Sequence, residues 1–143
     1  MVNKENKMKT IYIAGSLFTP SDRHYLEEID KIIRAKGFNT YLPHRDAGIS
    51  LRTDKGAEFF EKDLEAINNC DFIIAILNGT DVDSGTAFEM GLAHSKNIRI
   101  YGILNDTRHL NIYSLNVMIL NSVIKIINNF HELELLLMEI KNE

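Results

Sequence analysis

The sequence lacks what holds small extracellular proteins together and what anchors membrane proteins. Its single cysteine, Cys70, excludes an intrachain disulfide and any cysteine-rich metal site, and it fits a reducing compartment. No apolar run approaches the roughly 18 residues that a spanning helix needs, and no secretory leader is expected ahead of the first patterned segment. Charge of one sign is scarce too. A net −4 gives no general electrostatic pull toward nucleic acid or an anionic membrane. Internal repeats, low-complexity tracts and linkers are likewise missing. What remains is a chain of 143 residues, 45% hydrophobic and 25% charged, the composition of one domain long enough to bury a core. The expectation is a cytoplasmic protein that binds neither nucleic acid nor membrane, with a polar, disordered tail over 1–8 and one domain over 9–143.

Strand-like and helix-like segments alternate along that domain. "TIYIAG" (10–15) reads as a buried strand, and "FTPSDRHYLEEIDKIIRAKG" (18–37) as a helix. Thr19 is its N-cap, Pro20 its first helical residue, Asp22 lies in its first turn and Gly37 ends it. "FNTYLP" (38–43) is a second strand, followed by a polar loop and a helix near 57–69. "DFIIAIL" (71–77) is apolar throughout, as a central parallel strand covered on both faces should be. A loop and helix over 81–93, strands "IRIYGIL" and "SVIKII", and a closing helix "HELELLLMEI" complete the order. The pattern predicts an α/β fold: a single-domain, doubly wound, five-stranded parallel sheet of the Rossmann/flavodoxin-like kind, with helices on both faces. Ligands in such sheets bind beyond the carboxyl ends of the strands, so loops 14–20, 43–56, 78–86 and 104–116 are where a site belongs.

Two acids break the helical patterns. In "AEFFEKDLEAINN", Phe59, Phe60, Leu64 and Ile67 make an apolar stripe whose missing member is Asp63. An inward aspartate is costly unless it has partners; it reads either as a cap on a neighbouring loop or as a functional group. Glu89, in "DVDSGTAFEMGLA", projects between Leu92 and Ala93 one turn above Gly85 and Thr86, where small side chains leave room for a ligand. Asp83 precedes the same helix and is either its cap or a third acid at the binding edge. Paired carboxylates suit glycosidic chemistry, in which one attacks the anomeric carbon and the other handles the leaving group's proton. They could instead hold Mg²⁺, but no histidine or further acid stands at ligand spacing, so no metal or other cofactor is expected.

Four blocks, "KTIYIAGSLFTPSDRHYLEEI", "EKDLEAINNCDFIIAIL", "DVDSGTAFEMGLA" and "NDTRHLNIYSLNVM", together resemble the nucleoside 2-deoxyribosyltransferases from Lys9 onward and in the right order. The resemblance implies an enzyme that exchanges the base of a 2′-deoxynucleoside through a covalent deoxyribosyl intermediate, acting on deoxynucleosides and free nucleobases. It implies Glu89 as nucleophile, Tyr12 as the residue that orients it, and Asp63 on the base side. Asp83 would hold the sugar near its 5′-hydroxyl, with Gly15, Phe18, Ser84 and Gly85 around the substrate. Asn116 would be lent by a neighbouring subunit, so a homo-oligomer, dimer or higher, is implied. On this reading burial raises the pKa of Asp63, whereas Glu89 needs the opposite environment. A related hydrolase of deoxynucleoside 5′-monophosphates carries serine at the Asp83 position, and a negative Asp83 would repel a 5′-phosphate. Arg23, Arg45, Arg52 and Arg108 keep a phosphate reading open. Hydrolysis of nucleosides or their monophosphates is therefore the alternative to transfer, and a non-catalytic nucleotide-binding module is a third reading.

Overall fold

A computed structural model describes residues 7–49 and 55–143; most of the predicted tail, and Arg52, lie outside the described residues. The elements run β1 (Thr10–Ala14), α1 (Pro20–Ala35), β2 (Asn39–Tyr41), α2 (Pro43–Asp46), α3 (Gly56–Asn69), β3 (Phe72–Ile76), α4 (Ser84–Ser95), β4 (Arg99–Ile103), a 3-10 turn (Ile112–Ser114), α5 (Val117–Ser122), β5 (Lys125–Ile127) and α6 (Phe130–Lys141). All strand pairs are parallel, in the order β2-β1-β3-β4-β5. The winding reverses between β1 and β3, and a crevice opens at the carboxyl ends of strands beside such a switch point. Among the described residues, no helix is long and apolar enough to cross a membrane.

Period-2 alternation divides the strands between two cores. Ile11, Ile13, Phe72, Ile74, Tyr101 and Ile103 pack with Leu26, Ile29 and Ile33 of α1 and Leu133, Leu136, Leu137 and Ile140 of α6. Tyr12, Ala14, Ile73, Ala75 and Ile100 face the other way, with Ile67 of α3 and Met90 and Ala93 of α4. The register sets Ala14 beside Ala75 and Tyr12 between Tyr41 and Ile73. The second face therefore has a floor of little side-chain volume where β1 and β3 end.

Local signals explain most boundaries. Thr19 and Asp22 form a reciprocal capping box at the start of α1, and Gly37 leaves that helix at φ +87°. Three details differ from the sequence-based expectation. β2 is only three residues long, because Pro43 starts a short helix that Asp46 ties back to the Leu42 amide at 2.8 Å. The 3-10 turn forms inside the loop expected over 104–116, and α5 follows it where no element was expected, the two capped by Asn111 and Asn116. Phe60, expected in the apolar stripe of α3, is 48% exposed; the stripe turns to the sheet only at Ile67 and opens a groove above it.

Gly15 is buried at the end of β1, and a Cβ built there would lie 2.6 Å from Leu26 Cδ2 and 2.9 Å from Ile76 Cγ1. Both neighbours are core side chains with no room to retreat. Gly15→Ala should therefore lower unfolding stability by about 1–3 kcal/mol, read as a lower urea midpoint with an unchanged slope. An unaltered midpoint would show that the β1–α1 contact is looser than its geometry.

Candidate active site

The fully apolar β3 delivers the chain to the carboxyl edge of the sheet, and α4 returns across the second face. Asp83 begins that helix: its Oδ2 accepts from the Thr86 amide at 3.2 Å and from the Thr86 hydroxyl at 3.4 Å. Thr86 is fully buried. One turn later Glu89 points inward. Tyr12, fully buried on β1, faces the same space. Glu89 Oε2 and the Tyr12 hydroxyl are buried without a complete hydrogen bond, yet the phenol is close enough to draw the Glu89 carboxyl partly back toward ionisation.

Asp63 enters from α3. Its Oδ1 accepts a 2.9 Å hydrogen bond from the Tyr41 hydroxyl, and the Tyr41 ring stacks on Tyr12 with centroids 5.3 Å apart and planes 14° from parallel. Between α3 and α4 lies a cavity of about 310 Å³ lined by Phe60, Asp63, Leu64, Ile67, Gly85, Phe88 and Glu89. Phe60 and Phe88 stand 6.2 Å apart at its rim, each about half exposed. The structure thus gathers Tyr12, Asp63, Asp83, Gly85 and Glu89. It also adds Tyr41, which the sequence reading missed; its only prior signal was a place in the strand paired with β1.

Burial dominates the titration of this group. It pushes Glu89 up to about 8, reinforced by the charges of Asp63 and Asp83 and opposed by the Tyr12 hydroxyl. It also raises Asp63, against the Tyr41 hydrogen bond. The Tyr12 and Tyr41 phenols are both pushed far up, first by burial, and so remain donors at neutral pH. The expectation that Glu89 sits in an environment opposite to that of Asp63 is corrected: both acids are raised, chiefly by burial. Tyr12, Asp63 and Asp83 face Glu89 with neutral or negative charge only. Such a pocket resists a second negative charge and favours a developing positive one.

Other predicted positions fall differently. Gly15 has a packing reason to be glycine. Phe18 is 70% exposed on the first loop, and Ser84 is exposed at the first turn of α4. Asn116 caps α5 through a 2.9 Å bond from the Met118 amide. It lines a separate cavity of about 350 Å³ with Thr80, Asp81, Val82, His109 and Met118. Arg45 is engaged by Asp46 and Asp30, Arg108 by Asp106, and Arg23 donates to the Leu17 carbonyl. Cys70 is buried, with its thiol raised to about 11 chiefly by burial. Among the described residues, no group of three or more histidine, cysteine or acidic side chains is placed to hold a metal ion.

The chain matches, over residues 11–138, the sequence model of the family described as nucleoside 2-deoxyribosyltransferase. No curated protein sequence matches it. Among solved structures it is similar to a conserved protein from Enterococcus faecalis V583, at TM-score 0.79 and 24% identity over 94% of this chain and 98% of that one. It is similar to a 2-deoxyribosyltransferase from Bacillus psychrosaccharolyticus, at TM-score 0.75 and 20% identity over 87% and 90%. A CMP N-glycosidase of Clostridium botulinum aligns at TM-score 0.61 and 21% identity over 93% and 99%. At these identities the three structures share the fold.

A carboxyl whose folded pKa lies above its unfolded value contributes fully to stability below the unfolded value, and that contribution is lost as pH rises through the folded one. For Glu89 the window runs from 4.5 to about 8. Glu89→Gln should therefore match the parent in stability near pH 4.5 and exceed it increasingly toward pH 8, by up to about 4 kcal/mol. Thermal melts of both proteins across that range would show it, and a constant difference would contradict the burial of an unpaired acid.

Proposed function

The chain belongs to the nucleoside 2-deoxyribosyltransferase family, and we propose that it moves a 2-deoxyribosyl group between nucleobases through an ester of Glu89. Membership makes it a nucleoside-processing enzyme, of the transferase or the related N-glycosidase kind. The observation that carries the finer reading is the buried, incompletely bonded Glu89 carboxyl facing Tyr12 and sharing a cavity with Asp63.

Glu89 and Asp63 divide the work. A carboxylate oxygen of Glu89 bonds to C1′ as the glycosidic C1′–N bond breaks, and its electron pair leaves with the base. Asp63 supplies the proton that the departing nitrogen takes up. The negative surroundings stabilise the oxocarbenium-like charge between these events. A ring nitrogen of the second base then attacks C1′, the ester C–O bond breaks, and its proton returns to Asp63. Two inversions give retention. The active form needs Glu89 ionised and Asp63 protonated, so the pair works with one proton between them. With both pKa values raised, that proton is held up to about pH 8.

Free nucleosides fit better than 5′-monophosphates. The helix N-terminus after the first strand is a common phosphate seat in this fold class. Here Asp22 occupies it, accepting from Ser16 Oγ at 3.0 Å and the Thr19 amide at 3.3 Å. The N-terminus of α4 holds Asp83, the proposed partner of the sugar 5′-hydroxyl. A phosphate would meet a carboxylate at either place. The proposal extends to assembly. Asn116 lies in a cavity separate from Glu89, beside exposed Tyr113, Val117 and Met118, and so serves Glu89 only across a contact between copies.

Incubation with deoxyinosine and free adenine should yield deoxyadenosine, Glu89→Ala should yield none, and deoxyinosine 5′-monophosphate should be the poorer donor. Release of free deoxyribose without exchange would replace transfer by hydrolysis. For the wild type, kcat/KM should fall above about pH 8 as the pair loses its proton. In a slower Asp63→Asn enzyme, where only Glu89 must ionise, it should instead rise to a plateau. A wild-type profile that climbs through pH 8 would remove Asp63 as donor. Met118→Asp should give a smaller species in size-exclusion chromatography and at least a tenfold lower rate; a monomer of full activity would end the role of Asn116.

A further inference from the structure

The edge strand β2 is only three residues long, yet it carries an unusually dense set of polar anchors. Thr40 faces the α1 side. Its hydroxyl accepts from Arg34 Nε at 2.8 Å and donates in a short bond to Asp30. Arg45 Nη1 bonds Asp30 Oδ2 at 3.1 Å, and Nη2 bonds the Thr40 carbonyl at 3.1 Å. Asp30 and Thr40 are buried. A buried ionic cluster costs desolvation, and an edge strand of this length does not require one for its ladder. Its geometric consequence lies on the opposite face. Successive strand residues point to opposite sides, so pinning Thr40 also pins Tyr41.

Tyr41 stands opposite Tyr12 in the β1–β2 register, stacks on its ring, and gives its hydroxyl to Asp63 Oδ1. We propose that Tyr41 is a positioning residue of the active site, holding the Asp63 carboxyl beside the nucleophile from a strand clamped by Arg34, Arg45, Asp30 and Thr40. The inference rests on Asp63 as the proton donor. With one oxygen engaged by Tyr41, the carboxyl carries its proton on the other, which leaves that O–H free for the departing base. Among the described residues, Tyr41 from β2, Tyr12 from β1 and Glu89 from α4 face Asp63, with Asp46 of α2 acting on the Tyr41 hydroxyl. All are neutral or negative. The Tyr41 bond favours the ionised form of Asp63 against its burial, so removing it lets the pair keep its proton to higher pH.

Tyr41→Phe removes the hydroxyl and keeps the ring stack. For base release from a deoxynucleoside, whichever acceptor follows, kcat should drop about tenfold with KM within about twofold, and the alkaline limb should move to higher pH. Carbon NMR titration of the Asp63 carboxyl should show the same upward move without turnover. Unchanged kcat and an unmoved limb in Tyr41→Phe, while Asp63→Asn is impaired, would overturn the positioning role alone. An Asp63→Asn enzyme as fast as the wild type would overturn the donor reading and this inference with it. A raised KM at constant kcat would make Tyr41 a substrate contact instead.

Discussion

The site depends on keeping a carboxyl in a place where ionisation is expensive. Glu89 projects from α4 into a cavity shared with Asp63, and among the described residues the groups acting on it are neutral or negative. A cation nearby would hold it ionised but would oppose the positive charge that the proposed reaction develops on a sugar. A fully solvated site would relieve it but would also screen its interaction with that charge. In the proposed reaction the acid stays costly to ionise until a substrate supplies the compensating charge.

The two faces of the sheet are unequal. The face covered by α1 and α6 is a continuous aliphatic and aromatic layer. The other carries Tyr12, Tyr41, Asp63 and Glu89 among the smaller residues Ala14, Ala75 and Ala93. A parallel strand covered on both faces lets one β1 residue pack against α1 and α6 while the next faces the candidate site, as Ile11 and Tyr12 do. The charged clamp behind β2 is the same division at the sheet's edge. Thr40 is held on the α1 side, and Tyr41 faces the candidate site.

Much of the candidate site was legible because two acids violated otherwise regular helices. Asp63 interrupts an apolar stripe, and Glu89 stands among small residues just after an uninterrupted strand. Phe60 shares the stripe's spacing yet is exposed, since periodicity gives the face of a helix but not how far along it the partner sheet extends. Tyr41 could not be assigned from pattern alone, since its role follows from which strand pairs with β1 and in what register. The ionisation of Glu89 was misjudged for a similar reason. The resemblance marked it as a nucleophile, and only the folded structure shows that burial, reinforced by Asp63 and Asp83, raises its carboxyl.

What the sequence by itself determined is local in origin: alternating strands and helices, the caps at Thr19 and Asp83, the stop at Gly37, and the two misplaced acids. These depend on periods of 2 and 3.6 residues and on the hydrogen bonds of neighbouring amides. Only the tertiary structure decided that Tyr12, Tyr41, Asp63 and Glu89 meet, that Asn116 lies in another cavity, and that both acids are raised. Those outcomes depend on strand order, register and burial, which join residues far apart along the chain, so no local window of sequence contains them.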